Sequence, residues 1–428
     1  MPIEPNATHD PAVTSWVESA NGDTDFPIQN LPFGVFRSAG VARGGVALGD
    51  RLVDLQALAA SGLLEGEALA AARAACGDSL APLLAQPAGA VSALRARLFA
   101  LFRAGSAHRA RLEPVLVAMA DAEMLLPLKP PAFTDFCTSF DHIARMGGGT
   151  PKPAALSLPV AYNGRASSVR VSGTPVIRPM GQFEMPPGSG AVQWGPEPLL
   201  DFELEFGAWL RADTALGEPI GVAAAEDLLF GCCLVNDWSA RAIQFFEMIL
   251  GPHLGKSFLT TVSPWIVTME ALAPFRVAAR GRGAGEPAIP GYLLDAADRQ
   301  AGACSVTLTA DLVAPGGAQL RVTETELSDL YWTLAQMAAH QASNGAPLEA
   351  GDLIATGTVS GAAPGARACL AEITLGGGSP IALPDGSTRT MLEDGDTLVL
   401  RGRAHAEGYR PIGFGDCAGT IHRARDLP

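Results

Sequence analysis

The order of apolar and polar positions predicts short strands followed by helices in the first part of the chain. About 30 polar, proline-containing residues come first and predict an extended lead-in. Apolar runs interrupted by Gly and Asp at 33–36 and 45–55 predict short strands around turns. Residues 55–124 are rich in Ala, Leu and Arg, which favours helices, with breaks near Gly77-Asp78 and Gln86-Pro87.

A different pattern begins after residues 129–131, Lys-Pro-Pro. Short β-branched or aromatic segments alternate there with Gly and Pro turns, which is typical of a β region. Two helices are predicted within it, at 238–248 and at 327–344. We therefore predict a mostly β protein with some α-helix, with one domain at 1–128 and a second at 129–428.

Composition limits the classes of function. Apolar residues make up 48% of the chain and charged residues 17%, which fits a globular protein with a large core. The net charge of −14 argues against nucleic acid and anionic membrane surfaces as partners. No uncharged apolar run approaches the ~20 residues that a membrane span needs. The seven cysteines form no zinc pattern or disulfide framework and, with no signal peptide, predict a cytoplasmic location.

The stretch 200–206 alternates acidic and apolar residues with period two. In a strand, Asp201, Glu203 and Glu205 share one face, and apolar side chains occupy the other. Three neighbouring carboxylates in a partly buried setting are stable only with a compensating cation. Hard oxygen donors favour calcium, magnesium or manganese. The alternative is an edge strand whose acidic side chains lie in water. Taken alone, the alternation at 200–206 favours this alternative.

A second polar group follows along the chain. Asp237 is a suitable capping residue for the helix predicted after it, and Arg241, Gln244 and Met248 share one face of that helix. Lys256 lies shortly beyond. A surface ion pair between Arg241 and Asp237, with Lys256 as a structural partner of the acidic residues, is the alternative to a functional role.

With these residues in view, the chain resembles the fumarylacetoacetase family, the C–C hydrolases that end tyrosine breakdown. The resemblance runs from about Phe33 to the C-terminus in one order. It is carried by the segments 158–168, 171–175, 200–206, 236–244, 254–258, 331–333, 344–345, 351–353, 357–361 and 408–415. It implies a small N-terminal β-barrel-like domain, a larger C-terminal mixed β-roll domain and a homodimer.

The resemblance also implies a divalent cation, calcium or magnesium, with manganese as a further candidate. Its ligands would be four carboxylates: Asp135, Glu203, Glu205 and Asp237. Lys256 and Thr260 would neighbour a second cation subsite near Asp237. Asp201 matches an acidic position of the family outside the ligand set.

The same resemblance assigns an acid–base pair. His142, seven residues after Asp135, would take a proton from the water that attacks a ketone carbonyl. Glu372 would orient the imidazole, as the carboxylate of a catalytic triad does. The local sequence 369–374 predicts a strand, so an exposed strand acid is the alternative for Glu372.

The substrate implied is a small diketo acid, whose cleavage expels a carbanion. The cation would delocalise this charge as an enolate, with Lys256, Arg241 and Gln244 as donors to it. Tyr162 and Thr358 match substrate-contacting positions of the family. A Tyr in an apolar β segment is more often part of the core.

Three features depart from the family pattern. Cys137 and Met248 stand where the family has substrate-binding tyrosines, and the segment after His142 is several residues shorter. The arginine that grips the distal substrate carboxylate would come from the missing part, with Arg145 as a candidate substitute. Arg–carboxylate pairing is strong and geometrically demanding. We therefore expect the chemistry to be retained, with poorer hydrolysis of fumarylacetoacetate than of a diketone with a smaller or neutral distal group.

Two other functions stay open at this point besides a hydrolase with a different substrate. One is a decarboxylase or tautomerase of the same fold acting on a 2-oxo acid. The His142–Glu372 pair argues against it, because such enzymes need no water-activating pair at these positions. The other is a non-catalytic homologue, which would be expected to have lost part of the metal-binding or acid–base set.

Overall fold

Strands and helices alternate in the N-terminal part of this computed structural model, which describes residues 3–149, 151–247 and 250–426. The strands are β1 (Phe33–Ser38), β2 (Val41–Leu48), β3 (Arg51–Asp54), β4 (Leu116–Ala118) and β5 (Glu123–Leu125). The helices are α1 (Leu55–Ala60), α2 (Gly66–Ala74), α3 (Ala81–Leu84), α4 (Ala88–Phe102) and α5 (Arg109–Leu112). The predicted breaks near Gly77-Asp78 and Gln86-Pro87 are confirmed, because they separate α2, α3 and α4.

Two parts of the N-terminal prediction are wrong. β4 and β5 lie in the segment whose composition predicts helix. They pair with β3 and β1, and these backbone bonds outweigh the local helix propensity. The first residues are also not an extended lead-in. Ala7–His9 and Glu18–Ala20 form 3-10 turns, and His9 is buried with Nε2 at 2.8 Å from the Glu270 carbonyl oxygen.

The C-terminal part contains mostly short strands, as the sequence predicts. These are β6 (Phe133–Cys137), β7 (Val160–Asn163), β8 (Val169–Val171), β9 (Val176–Ile177), β10 (Met180–Glu184), β11 (Val192–Pro196), β12 (Leu200–Asp201), β13 (Leu204–Leu210), β14 (Leu229–Asp237), β15 (Ser239–Ala240), β16 (Thr260–Val262), β17 (Trp265–Thr268), β18 (Arg276–Val277), β19 (Ala303–Cys304), β20 (Val306–Val313), β21 (Gln319–Glu326), β22 (Leu353–Ala355), β23 (Ile381–Ala382), β24 (Thr388–Arg389), β25 (Thr397–Ala404), β26 (Ile412–Gly413) and β27 (Cys417–His422). The helices are α6 (Phe140–Met146), α7 (Pro153–Ser157), α8 (Val222–Leu228), α9 (Arg241–Glu247), α10 (Leu254–Ser257), α11 (Ala296–Ala301), α12 (Leu334–Gln341) and α13 (Leu370–Ile373). Further 3-10 turns lie at Glu113–Val115, Met119–Asp121, Ala166–Ser168, Ala273–Phe275, Gly291–Leu293, Leu327–Asp329 and Pro364–Ala366.

The helix predicted at 238–248 begins later than expected. Residues Ser239–Ala240 form β15 and pair with β12, so α9 begins only at Arg241. Asp237 is therefore the last residue of β14 and not a helix cap. Met248, at the predicted end, lies outside the described residues.

The helix predicted at 327–344 is interrupted. Its first residues form a 3-10 turn, and α12 begins only after Thr333. The Thr333 hydroxyl accepts the Gln336 backbone N–H, and the Gln336 side chain accepts the Thr333 N–H in return. A residue that the pattern places inside one long helix is thus the N-terminal cap of a shorter one.

One large sheet joins the two parts of the chain. Its main strand order is β4-β3-β2-β1-β17-β14-β13-β22-β6-β7, so β1 of the N-terminal part pairs directly with β17. The N-terminal strands therefore continue the sheet of the C-terminal part, and the pairings of the described residues do not close them into a barrel. The barrel-like N-terminal domain is not confirmed.

A second sheet, with the order β21-β20-β25-β27-β9, packs against the first. Side chains of β25 alternate between buried and partly exposed, as expected for a strand with one face in the core. Leu308, Leu400 and Trp238 belong to the core between the sheets. A neighbouring core packs Leu98 of α4 with Trp209 of β13, so apolar contacts also cross the predicted boundary at residue 128.

Candidate functional site

Four carboxylates converge where neighbouring strands of the large sheet end. Asp135 lies on β6, Glu205 on β13 and Asp237 at the end of β14, and Glu203 immediately precedes β13. One oxygen from each carboxylate lies within 4.8 Å of the others, and all four residues are buried. The pairings explain this convergence: β13 is bonded to both β14 and β22, and Ala355 of β22 stands opposite Asp135. We call these four residues the carboxylate cluster.

The inner oxygens of the carboxylate cluster lack donors. Asp135 Oδ1 and both carboxylate oxygens of Glu205 are buried and have no hydrogen-bond partner among the described residues. Burial and the charge of Asp237 raise the pKa of Asp135, and burial and the charge of Asp135 raise that of Glu205. Oxygens that only accept and that repel one another match a hard divalent cation. The residues present therefore fit the cation implied by the sequence.

Two protein cations hold the outer oxygens of the carboxylate cluster. Lys256 Nζ lies 2.5 Å from Glu203 Oε2 and 2.8 Å from Asp237 Oδ2. Arg241 binds Glu203 at 2.7 Å and Asp201 at 2.9 Å, so the alternative ion pair with Asp237 is not formed. Burial alone would raise the pKa of Glu203, but the charges of Lys256 and Arg241 outweigh burial and lower it. Glu203 is therefore ionised inside the carboxylate cluster.

Asp201 is not a member of the carboxylate cluster, although the alternation places it on one face with the two glutamates. The strand is interrupted between Asp201 and Leu204. Its carboxylate accepts the backbone N–H groups of Leu370 and Ala371 at 2.7 and 3.0 Å, besides its bond from Arg241. Asp201 thus positions Arg241 and the start of helix α13.

A His–Glu pair lies beside the carboxylate cluster. His142 is on α6, where the Ser139 hydroxyl accepts its backbone N–H at 3.0 Å. The imidazole is buried and Nδ1 lies 2.6 Å from Glu372 Oε1. Burial opposes ionisation of Glu372, but hydrogen bonds from His142, Ser360 and Arg145 lower its pKa to about 2. An ionised acceptor assigns the proton to Nδ1 and leaves Nε2 free to accept another.

Glu372 lies on helix α13 rather than on the predicted strand, and it is buried rather than an exposed acid. The first backbone N–H groups of a helix need acceptors, and Asp201 supplies them here from a remote part of the sequence. Ser360 donates to Glu372 Oε1 at 2.6 Å, and the Cys369 thiol lies 3.6 Å from the same atom. Sequence analysis missed Ser360 because its role depends on the contact between two distant segments.

Arg145 is engaged with the His–Glu pair. Its Nη1 donates to Glu372 Oε2 at 2.9 Å, and its Nη2 donates to the carbonyl oxygens of Gly361 and Ala362 at 2.8 and 3.0 Å. Arg145 thereby orients the second oxygen of Glu372. It is not placed as a free clamp for a substrate carboxylate.

Cys137 lies between the carboxylate cluster and the His–Glu pair. It is two residues after Asp135 on β6, so both side chains share one face. Burial, followed by the charges of Glu203 and Asp135, raises the pKa of the Cys137 thiol to about 12, with Glu372 contributing in the same direction. The thiol is therefore neutral and adds no charge to the site.

The remaining sequence-predicted residues contact the carboxylate cluster to different degrees. The Tyr162 hydroxyl donates to Asp237 Oδ2 at 2.7 Å, and Thr260 Oγ1 donates to Asp237 Oδ1 at 3.2 Å. The hydroxyl of Thr358 is buried and has no partner among the described residues. Met248 is not described. Tyr162 and Thr260 thus fix the orientation of Asp237.

A cavity of about 200 Å³ opens beside Tyr162 and Lys256. Gln244 lines it and accepts a bond from Arg241 through Oε1 at 3.1 Å. His253 lines it as well, with its ring edge-on to Tyr162 at a centroid distance of 5.7 Å. Sequence analysis missed His253, because a single His in a Gly/Pro segment carries no periodicity. The cavity thus adjoins Lys256, which contacts the carboxylate cluster.

These parts define a class of protein. The components of a cation-dependent hydrolase are present. They are a buried imidazole with a free ring nitrogen, an ionised carboxylate that orients it, and a set of carboxylates able to bind a cation. The fold and this site therefore indicate a hydrolase with residues that could hold a divalent cation.

Comparisons with known proteins agree with this class. Residues 132–422 match the family model described as fumarylacetoacetate (FAA) hydrolase C-terminal, and residues 29–127 match fumarylacetoacetase N-terminal. The chain is 42% identical to the fumarylacetoacetase of Oryza sativa subsp. japonica over 424 residues, covering 95% of this chain and 96% of the relative. It is 39% identical to that of Homo sapiens over 418 residues, covering 93% and 96%. The chain belongs to the fumarylacetoacetate hydrolase family.

Solved structures share the fold at lower identity. A fumarylacetoacetate hydrolase from Exiguobacterium antarcticum has a TM-score of 0.52 and 18% identity, covering 92% of this chain and all of that one. A maleylpyruvate hydrolase from Sphingobium sp. SYK-6 has a TM-score of 0.50 and 16% identity with the same coverage. The predicted family and the mixed β and α fold are confirmed.

Proposed function

We propose that this protein is a cation-dependent hydrolase that cleaves a C–C bond in fumarylacetoacetate or a closely related 1,3-diketo acid. The His142–Glu372 pair beside the carboxylate cluster carries the proposal, and the relatives named fumarylacetoacetase support it. The direct test is incubation of the purified protein with fumarylacetoacetate and calcium or magnesium, with fumarate and acetoacetate measured as products. Absence of cleavage with fumarylacetoacetate and with related diketo acids would overturn it.

His142 acts as the general base. Its Nε2 takes a proton from water as the water oxygen bonds to the ketone carbon, and Glu372 stabilises the resulting imidazolium through Nδ1–H. The C–C bond then breaks, its electron pair leaves as an enolate, and the enolate carbon regains a proton. Ser360 and Arg145 hold Glu372 in place during these steps.

The contacts of the predicted enolate donors favour Gln244 among them. Lys256 already contacts Glu203, Asp237 and the Ser239 hydroxyl, so it primarily positions the carboxylate cluster. Gln244 lines the cavity, and its amide nitrogen has no partner within the described ranges, so it is the first candidate to donate to substrate oxygen. When bound, a divalent cation polarises the substrate carbonyl oxygens and stabilises the enolate. The oxygen-only ligand set supports calcium or magnesium, with manganese as the alternative.

The same observations bear on the competing functions. A decarboxylase or tautomerase needs no ionised carboxylate at 2.6 Å from a buried imidazole, so the His–Glu pair favours hydrolysis. A hydrolase with a substrate other than fumarylacetoacetate is supported by two features of the site. Cys137 offers a neutral thiol, and Arg145 is already engaged with Glu372.

We expect kcat/KM for fumarylacetoacetate not to exceed that for a 1,3-diketo acid with a neutral distal group. The reason is that Arg145 is bound to Glu372 and to two carbonyls, and a lost charge-assisted contact is worth ~1.5–3 kcal/mol. Side-by-side kinetics with fumarylacetoacetate, acylpyruvates and neutral 1,3-diketones measure this preference. If fumarylacetoacetate is preferred by tenfold or more, another residue recognises its carboxylate, and His253 is the first candidate.

We also propose a homodimer, which the family resemblance implies. Phe245 and Phe246 on α9 are 53% and 41% exposed, and Leu254 on α10 is 48% exposed, which supports a covered apolar face beside the site. Light scattering is expected to show twice the 44.2 kDa of one chain. Phe245→Glu is expected to shift the mass towards that of the monomer. Leu216→Glu is the control: Leu216 is 81% exposed and lies outside this apolar face, so the variant is expected to keep the mass of the wild type. A monomeric wild-type protein would contradict the proposal.

We also propose a cytoplasmic location and a domain boundary near residue 128. The cysteines Cys76, Cys137, Cys232, Cys233, Cys304, Cys369 and Cys417 are all free, which supports a reducing, cytoplasmic setting. A domain boundary near residue 128 is supported by the two family matches, which end at 127 and begin at 132. Within the described residues, no helix combines the length and apolar character needed to cross a membrane.

A further inference from the structure

A second cavity, of about 360 Å³, has arginine side chains in its wall. Arg280 and Arg282 come from the segment after β18, and Arg299 comes from α11. Tyr331 and Asp298 also line it. None of these residues belongs to the carboxylate cluster or to the His–Glu pair, and the proposed reaction uses none of them.

Arg282 is a partly buried cation without a carboxylate contact among the described residues. Its guanidinium carbon lies 3.6 Å from the centre of the Tyr331 ring and 4.3 Å from that of Trp332. Nη1 donates to the Leu156 carbonyl oxygen at 3.0 Å, while Nε and Nη2 are buried with no described partner. Burial lowers the pKa of Arg282 to about 10 although Glu286 opposes it, and the charge of Arg280 lowers it further. The protein thus holds a charge with unsatisfied donors.

Arg280 also contacts the Tyr331 ring and has a buried donor without a partner among the described residues. Its guanidinium carbon lies 4.9 Å from the Tyr331 ring centre and 5.2 Å from that of Phe140. Its Nη2 reaches Glu286 only at 3.4 Å, and Nη1 is buried without a described partner. Two like charges therefore lie over the Tyr331 ring, and one of them, Arg280, forms a long ion pair with Glu286.

The rest of the cavity wall adds positive charge and one acid. Arg299 is exposed, and within the described ranges no acceptor binds its side chain. Asp298 is buried, and its Oδ1 accepts the Thr333 hydroxyl at 2.8 Å. Burial raises the pKa of Asp298 to about 6. The cavity is therefore lined by three guanidinium groups and by Asp298, which is already bonded to Thr333 of the α12 cap.

We propose that this cavity binds a small oxyanion of the carboxylate or phosphate class, held by the guanidinium groups of Arg280 and Arg282 and covered by Arg299. Three guanidinium groups line the cavity, and an oxyanion supplies acceptors for this positive charge. Planar guanidinium groups suit both carboxylate and phosphate oxygens. The site adjoins Phe140, the first residue of the helix that carries His142, so the anion would lie close to the proposed catalytic machinery.

Isothermal titration of the metal-loaded full chain tests this inference, with succinate and inorganic phosphate as separate probes. Arg282→Met keeps an unbranched apolar stem over Tyr331 and removes the charge, so we expect binding to weaken about tenfold to a hundredfold. Arg282→Lys is expected to recover part of the affinity, and Arg37→Met, at a distant surface ion pair, is expected to bind as the wild type does. Whichever probe binds more tightly identifies the source of the oxyanion.

A second pair of measurements separates this site from the reaction site. His142→Ala is expected to bind the probes with unchanged affinity at the arginine cavity, because it alters the proposed catalysis but not this cavity. If Arg282→Met does not fold, Arg299→Met on the exposed surface is expected to weaken binding several-fold. Equal affinity of the wild type and the arginine variants, or no binding of either probe at millimolar concentration, would overturn the inference without affecting the proposed hydrolase function.

Discussion

Replacing His142 by alanine is expected to lower kcat by about 10²–10⁴-fold, because a general base contributes on this scale. His142 contacts Glu372 and is not part of the carboxylate cluster, so the variant is expected to keep its bound cation. Steady-state kinetics on the best diketo acid substrate, together with metal analysis of the purified variant, measure both properties.

His340→Ala is the matched control for this variant. His340 is on α12 and its Nδ1 contacts the Tyr292 hydroxyl at 2.9 Å, away from the proposed site, so its loss is expected to leave kcat unchanged. A loss smaller than tenfold in His142→Ala would show that another group takes the proton from water. A loss of cation in the same variant would show instead that His142 supports the metal site.

The parts of the site that are local in sequence were predictable. Alternation along 200–206 correctly places Glu203 and Glu205 together, because both residues adjoin or belong to β13. The helix pattern correctly brings Arg241 and Gln244 to one face, where they are hydrogen-bonded. Asp201 shows the limit of this reasoning. It lies outside the carboxylate cluster and binds Arg241 and the first N–H groups of α13, and no alternation pattern reports these contacts.

Contacts between remote segments were not predictable from local patterns. His142 and Glu372 are 230 residues apart and meet only because α6 and α13 pack together. They entered the prediction through the family resemblance alone. The Tyr162–Asp237 bond likewise depends on the position of β7 beside β6 in the large sheet.

Errors in the predicted fold have a similar cause. The composition of 55–124 favours helix throughout, but backbone pairing with β3 and β1 makes β4 and β5 strands. The sequence 369–374 favours a strand, but the Asp201 carboxylate binds the first N–H groups of α13 and stabilises a helical turn. In both cases a tertiary partner outweighs a local preference of a few tenths of a kcal/mol per residue, which is about the size of helix propensity differences.

Glu205→Gln is expected to abolish tight cation binding and, with it, nearly all activity. Glu205 is the one member of the carboxylate cluster with both oxygens buried and without a donor among the described residues. A bound cation would therefore be the main group that stabilises its charge. Mutation of residues that only contact a metal ligand typically lowers metal affinity or activity by about 10–100-fold, and mutation of a ligand itself should lower it at least as much. Metal analysis after dialysis against a chelator and reloading with calcium or magnesium measures the loss.

Thermal unfolding of the same variant tests the site without an activity assay. In metal-free protein, Glu205 is a buried acid beside Asp135 and Asp237, so its neutral replacement is expected to raise the melting temperature above that of metal-free wild type. Added cation is expected to stabilise the wild type strongly, since it binds only the folded state, and the variant weakly. Asp311→Asn is the control: this buried acid pairs with Arg321 and Arg401 in the other sheet, so it should lose stability while keeping the response to cation. An unchanged cation response in Glu205→Gln would place the cation elsewhere.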